Sequence, residues 1–313
     1  MVMFYVVAIA VTMMVQRFLW DKFIEYSMTE EERQRLKDKG HFDTLERLCS
    51  ELDTEFSRTT KPLKLDHTRM PAIPCTQFVS MPMLMPVRVE RISAHHPKLM
   101  ILRQFISKKH ARRAAKEVEN HSGLQPTLVQ PKHSAMRVNK FQRNTNGTWI
   151  RKWSDSEAFN AITRTTLSVF PHLDVRATED WNCLAYNSTG HYTFHFDALP
   201  TVPTMRSDPF SIKFGNRMAT LFVYLATAEE GGKTAFPNAQ FVLTSVVPGD
   251  AILWFNLLSP NFSKDRQSLH GACPVYAGRK VVSTMWIRHQ PRQFACGADR
   301  RWATFDWPQL EWT

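Results

Sequence analysis

His195 and Asp197 stand two positions apart at the end of the run Tyr186-Asn-Ser-Thr-Gly-His-Tyr-Thr-Phe-His-Phe-Asp197. On an extended strand, residues i and i+2 point to the same face, so the imidazole and the carboxylate can reach one metal ion together. The spacing alone discriminates poorly, because His41-Phe42-Asp43 and His172-Leu173-Asp174 repeat it. A further candidate ligand lies downstream: His270, in Ser-Leu-His-Gly-Ala-Cys, near the start of a later strand-like run. Two histidines and one carboxylate form the facial set that holds non-haem Fe(II) and leaves coordination positions open. Beyond it, Lys280 enters the apolar run that continues Val281-Val282. A lysine carried into a buried strand needs a carboxylate partner, because a buried charge is costly unless paired. An anionic small molecule would supply one.

The elements that must position these groups follow from periodicity. From Asp180 onward, strand-like runs separated by Gly/Pro turns dominate: 181–187, 191–197, 217–226, 241–247, 250–257, 273–277 and 280–288. Upstream the pattern is mostly helical. Ser27-Met-Thr-Glu30 reads as a capping box for a charged helix to about Lys39, and Asp43 as the N-cap of a second short helix through Leu45, Leu48 and Cys49. That gives the His41 triplet a structural explanation. Residues 59–86 read as an extended connector, 87–92 as a strand and 99–106 as a second apolar stretch. Ser107 caps a helix over 108–121, with Ala111, Ala114, Ala115 and Val118 on one face. Residues 128–149 read as a basic hairpin or mobile loop with a turn signal at Asn146-Gly147. Ser154 with Glu157 opens another helix, whose buried face is Phe159, Ile162, Leu167 and Phe170; Pro171 ends it, so the His172 triplet falls in a turn. Helices first and a β core second make the fold α+β, mainly β, as a sandwich or jelly roll.

With 313 residues, 43% of them hydrophobic and 22% charged, the chain forms one large globular domain or a domain plus an appendage. Residues 98–152 hold thirteen Lys/Arg against Glu117 and Glu119, which accounts for the whole net charge of +11. No zinc-finger spacing or aromatic RNA-binding signature accompanies this charge, so no nucleic-acid partner is expected. No Gly-rich phosphate loop follows a strand, which removes nucleotide binding. Residues 1–16 carry no charge and are mostly apolar, shorter than the ~20 residues of a membrane span. A secretory signal or membrane anchor and an apolar docking helix both stay open. Five cysteines leave at least one outside any intrachain pairing, and no Cys-x-x-Cys occurs. Asn146, Asn187 and Asn261 begin glycosylation sequons.

Residues of about 87–296 resemble the catalytic domain of prolyl 4-hydroxylases, within the 2-oxoglutarate/Fe(II) dioxygenases. The blocks that carry the resemblance are 190–197, Gly215-Asn-Arg-Met-Ala-Thr220, Gly231-Gly-Lys-Thr-Ala-Phe-Pro237, Pro248-Gly-Asp-Ala-Ile-Leu-Trp-Phe-Asn-Leu257, Ser268-Leu-His-Gly-Ala-Cys-Pro-Val275 and Gly278-Arg-Lys-Val-Val-Ser-Thr-Met-Trp286. The resemblance implies a double-stranded β-helix, or jelly-roll, core with N-terminal supporting helices. The expected division is an apolar segment at 1–20, a helical and extended linker at 21–86, the dioxygenase domain at 87–296 and a tail at 297–313.

By the same resemblance, His195, Asp197 and His270 ligate Fe(II). Lys280 pairs with the distal carboxylate of the cosubstrate 2-oxoglutarate, helped by the hydroxyls of Tyr186 and Thr234. Tyr192, Arg217 and Trp286 fall where family members contact the substrate peptide, and the basic 128–149 segment corresponds to a lid. The implied enzyme is a procollagen-proline 4-dioxygenase type that makes succinate, CO2 and hydroxyproline, with L-ascorbate rescuing oxidised iron. The collagen branch also implies an endoplasmic reticulum location, a disulfide-isomerase-type β subunit as partner, disulfides Cys273–Cys296 and Cys49–Cys75, and a buried unpaired Cys183. Two departures, Val281 for a tryptophan and Thr193-Phe194 for Glu-Pro, keep open an oxygenase acting on a non-collagen protein. A catalytically weak binding subunit is the remaining alternative.

Overall fold

In the computed structural model of the protein, residues 30–58, 77–79, 87–93, 96–129, 137–170, 173–200, 209–258 and 262–289 are described. Two antiparallel sheets face each other across the site. The larger pairs Gln77–Val79, Val87–Ser93, Leu99–Arg103, Ala251–Phe255, Arg217–Ala226, Lys280–Arg288, Trp181–Tyr186, Asn146–Ile150 and Gln125–Pro126 in that order. The smaller pairs Phe241–Leu243, Thr234–Phe236, His270–Ala272, His191–His195 and Arg143–Asn144. This is the jelly-roll arrangement, and it is mainly β.

The strand Lys280–Arg288 is buried along its whole length, because both of its faces are covered. Val281, Met285 and Ile287 point into the core shared with the helices Lys108–Glu119 and Glu157–Val169. Val282 points the other way, into the apolar layer between the sheets with Tyr186, Phe222, Tyr224, Phe236 and Trp254. Period-2 alternation therefore puts Lys280 and Trp286 on the inner face. The helix Lys108–Glu119 buries Ala111, Ala114, Ala115 and Val118 and takes its N-cap from Ser107, as its sequence pattern predicts.

Several expectations need correcting. Residues 30–58 form one continuous helix, so Asp43 lies mid-helix and caps nothing. The reason is phase: Asp38, Phe42, Leu45 and Cys49 form a single inward stripe at spacings of four, three and four across the expected break. Asn146-Gly147 is not a turn but the start of the strand Asn146–Ile150, with Gly147 opposite Leu184. A Cβ on Gly147 would meet Thr127 Cγ2 at 2.7 Å and Leu184 Cδ2 at 2.9 Å, so close approach of neighbouring chain explains the glycine. The third helix is capped by Ser156, which accepts from the Phe159 N–H, rather than by Ser154.

Cys49 bonds Cys273, which replaces both expected pairings. The chain brings the helix Glu30–Arg58 against the smaller sheet, and Cys273 follows its strand His270–Ala272 directly. Cys75 and Cys296 lie outside the described residues, as do residues 1–20 with their expected signal or anchor. Cys183 is the buried free thiol that was expected, with Sγ 3.4 Å from Ser283 Oγ. Among the described residues no helix is long and apolar enough to cross a membrane.

Candidate metal centre

His195 ends the strand His191–His195, and Asp197 lies just past it in a bend rather than on the strand itself. His270 opens the neighbouring strand directly opposite His195. The carboxylate reaches both rings: Asp197 Oδ1 is 3.8 Å from His195 Nε2, and Oδ2 is 3.6 Å from His270 Nε2. The three ligand atoms all lie within 4.8 Å of one another. Each imidazole is oriented by its other nitrogen. His195 Nδ1 donates to the Thr193 carbonyl at 2.8 Å and His270 Nδ1 to the Ser268 carbonyl at 2.9 Å. Carbonyls only accept, so the protons sit on Nδ1 and each Nε2 presents a lone pair toward the same point.

The electrostatics agree with this assignment. Burial, reinforced by His270 and opposed by Asp197, pushes His195 down to about 3, so it is a neutral imidazole at neutral pH. Burial raises the Asp197 carboxyl, but His270, His195 and Arg217 outweigh it and hold the group below the ordinary carboxylate range. A neutral ring beside an ionised carboxylate is a donor set that fits a divalent cation.

Two residues behind the ligands have no expectation from sequence. Thr220 Oγ1 donates to Asp197 Oδ2 at 2.8 Å, and Asn256 Nδ2 donates in turn to Thr220 Oγ1 at 2.8 Å. Both side chains are fully buried. The only signal for Thr220 is a hydroxyl in phase with Phe222 and Tyr224 in an otherwise apolar strand. Trp254 packs edge-on against His270, with ring centroids 4.8 Å apart, and helps keep the site dry.

Lys280 is 1% exposed and faces the same inner space. Its Nζ donates to Thr234 Oγ1 at 3.2 Å, and Tyr224 OH joins the same hydroxyl at 2.8 Å. The rings of Tyr186, Phe222 and Tyr224 surround the ammonium at 5.4, 5.7 and 5.8 Å. No carboxylate pairs with it among the described residues, and burial alone pushes it down to about 7. Tyr186 sits opposite Lys280 across the strand pair. A buried cation without an anion fits a small-molecule carboxylate.

The three expected peptide contacts gather at one open cavity of about 540 Å³, which Tyr186, Thr234 and the three candidate metal ligands also line. Tyr192 stacks on His195 at 3.7 Å, with the Arg143 guanidinium 4.3 Å over its ring. Arg217 lies 3.5 Å over Trp286 and makes a forked pair with Glu179 at 2.6 and 2.8 Å. Arg288 bonds Glu179 as well, at 2.7 Å. Trp149, half exposed, meets Trp286 at 5.8 Å. The expected lid contributes Leu128, Arg143 and Trp149 to the lining. Leu128–Val129 pairs antiparallel with Arg137–Val138 as a separate two-stranded ribbon, while Arg143–Asn144 and Asn146–Ile150 are paired into the smaller and larger sheets. The described residues of the two look-alike triplets do not line the site: His41 and Asp43 are exposed on the helix, and Asp174 caps a short 3-10 turn, while His172 lies outside the described residues.

Residues 181–288 match the 2OG-Fe(II) oxygenase superfamily. The chain is 30% identical over 258 residues to the prolyl 4-hydroxylase subunit alpha-3 of Rattus norvegicus, covering 80% of this chain and 43% of that protein. It is 29% identical over 220 residues to probable prolyl 4-hydroxylase 7 of Arabidopsis thaliana, covering 64% and 66%. The chain thus spans less than half the length of the animal relative. A solved structure of a viral collagen prolyl hydroxylase from Paramecium Bursaria Chlorella virus-1 aligns at 24% identity and a TM-score of 0.46, over 61% of this chain and 95% of that one. The chain carries a 2OG-Fe(II) oxygenase domain, with prolyl 4-hydroxylase alpha subunits among its homologues.

Proposed function

We propose that the protein is a peptidyl-proline 4-hydroxylase that couples oxidative decarboxylation of 2-oxoglutarate to hydroxylation of proline in a peptide or protein. One observation carries the reading. The three-ligand set lines one cavity, and the buried Lys280 ammonium, with no carboxylate partner among the described residues, bonds Thr234 of that same lining, as chelation at one end and carboxylate anchoring at the other require. The balance is one 2-oxoglutarate, one dioxygen and one prolyl residue in, and succinate, CO2 and hydroxyproline out.

In this reading His195, Asp197 and His270 hold Fe(II). The metal with its cosubstrate supplies dioxygen activation and removal of a proline C–H hydrogen. The chain's own residues do the rest. Thr193 and Ser268 carbonyls aim the two imidazoles, and Thr220 fixes the carboxylate. Lys280, Thr234 and Tyr186 receive the far carboxylate of 2-oxoglutarate. Phe222, Tyr224, Phe236 and Trp254 exclude water. Tyr192, Arg217 and Trp286 place the peptide, and the 128–149 segment flanks it as a lid.

The two departures from the family pattern give no support to a different substrate. Val281 points into the helix-side core, and Phe194 packs toward the upstream helix. The proposal extends to ascorbate as reductant of oxidised iron and to collagen-like Pro-Gly sequences as substrate. It also extends to the lumen of the endoplasmic reticulum, with or without an amino-terminal anchor, and to a disulfide-isomerase-type β subunit. Turnover of collagen-like peptides, compared with proline-containing peptides lacking the Pro-Gly repeat, tests the substrate class. Hydroxylation confined to the second set would discard collagen-like specificity and keep the oxygenase.

A further inference from the structure

We infer that the helix Glu30–Arg58 is a positioning element of the metal centre, clamped to the ligand-bearing sheet by the Cys49–Cys273 disulfide. The inference rests on the metal-site reading above.

Each residue of the helix's inward stripe meets a different part of that sheet or its approach. Asp38, 1% exposed, accepts from Asn139 Nδ2 in the turn before the strand Arg143–Asn144. Phe42 packs its ring 4.4 Å from His191, at the start of the strand that ends in His195. Leu45, fully buried, sits over Gly271, the residue after His270. Cys49 is bonded to Cys273, three positions after His270. Arg35, Lys37, Lys39, Glu46 and Arg47 of the same helix are exposed.

The sheet in turn depends on the helix. Its outer face presents Phe194, Ala235, Val242 and Cys273, and Leu45 and Cys49 complete this small core. His270–Ala272 is only three residues long, at the short end for a strand, so packing behind it adds to what its ladder bonds fix. Gly271 records how close the packing is: a Cβ there would meet Phe194 Cδ1 at 2.9 Å, the Tyr192 carbonyl at 2.9 Å and Leu45 Cδ1 at 3.3 Å. Phe194, where the family resemblance leads one to expect proline, is thereby explained as part of the helix's docking site. A metal site needs its ligands held by the layer behind them as well as by their own strands.

The test uses the full chain with Co(II) as the metal probe and backbone hydrogen exchange as the structural one. Four states are compared: wild type, wild type whose disulfide has been cleaved by a phosphine and water to two thiols, Cys49→Ser/Cys273→Ser, and that pair combined with Leu45→Asp. In the combined variant we expect faster exchange in the helix and in 191–195 and 270–272, with 280–288 still protected. Co(II) affinity should fall about tenfold or more, the cost of losing support behind metal ligands. The reduced wild type needs no refolding and should shift in the same direction. A helix that stays protected in every state overturns the clamp, and a helix that loosens with Co(II) affinity unchanged overturns the positioning role. Failure of the wild type to bind Co(II) at all would instead sink the metal-site reading, and the exchange data would still decide whether the helix steadies the two strands.

Discussion

Lys280 Nζ donates to Thr234 Oγ1 at 3.2 Å across the gap between the two sheets, and this neutral hydroxyl is its one hydrogen-bond partner among the described residues. The buried ammonium therefore awaits an anion, and its titration reports on that. Its value in the folded metal-free protein is about 7, against an ordinary lysine value of 10.5. Between these values the unfolded chain binds more protons than the folded one, so stability rises with pH from about 7 to about 10.5 and is independent of this group below 7. Urea midpoints of the metal-free protein should show that rise, and Lys280→Met should remove it. The same substitution should weaken 2-oxoglutarate binding at least about thirtyfold, since losing one partner of a buried charge pair costs 2 kcal/mol or more.

Thr220 orients Asp197, and Asn256 orients Thr220. Thr220→Val keeps the shape and removes the hydroxyl, so metal affinity should drop about ten- to a hundredfold. Thr220→Ser should restore most of it. Equilibrium dialysis against Co(II) separates the two variants, and equal affinity in both would show that the bond does not matter.

Glu179 bonds both Arg288 and the cavity-lining Arg217. Glu179→Gln should free Arg217 from its place over Trp286 and raise the peptide KM about tenfold, an order of loss within the range for a truncated charge pair. Peptide-independent turnover of 2-oxoglutarate should stay near the wild-type rate. A parallel loss of both activities would place Glu179 in general stability rather than in peptide placement.

Non-reducing peptide mapping should find Cys49 linked to Cys273. Cys183, whose thiol burial raises to about 12, should resist alkylation until the protein unfolds. Recovery of Cys273 linked to Cys296 would contradict the docking of the upstream helix.

Much of this was legible in the sequence, for physical reasons that differ by element. The strands Arg217–Ala226 and Lys280–Arg288 are apolar runs closed by glycine and polar residues, so their bounds match the sequence expectation residue by residue. The candidate ligand set was legible through the family resemblance rather than through the His-x-Asp spacing, which occurs twice elsewhere; the structure brings His195, Asp197 and His270 together. What stayed hidden depends on register and distance. Thr220 and Asn256 gain meaning only once the strand pairing puts them behind Asp197. The pairing of Cys49 with Cys273 spans 224 residues, and nothing local encodes it. Asn146-Gly147 has turn chemistry, yet packing against Leu184 and Thr127 decides its conformation.

The central claim is tested most directly by incubating the Fe(II)-loaded full chain with 2-oxoglutarate, ascorbate, oxygen and a Pro-Gly repeat peptide, and measuring succinate and 4-hydroxyproline together. The account predicts equimolar formation of the two, abolished in His195→Ala and restored toward wild type at high 2-oxoglutarate in Lys280→Arg. Absence of both products from wild-type protein shown to hold its iron, on any proline peptide tried, would contradict it.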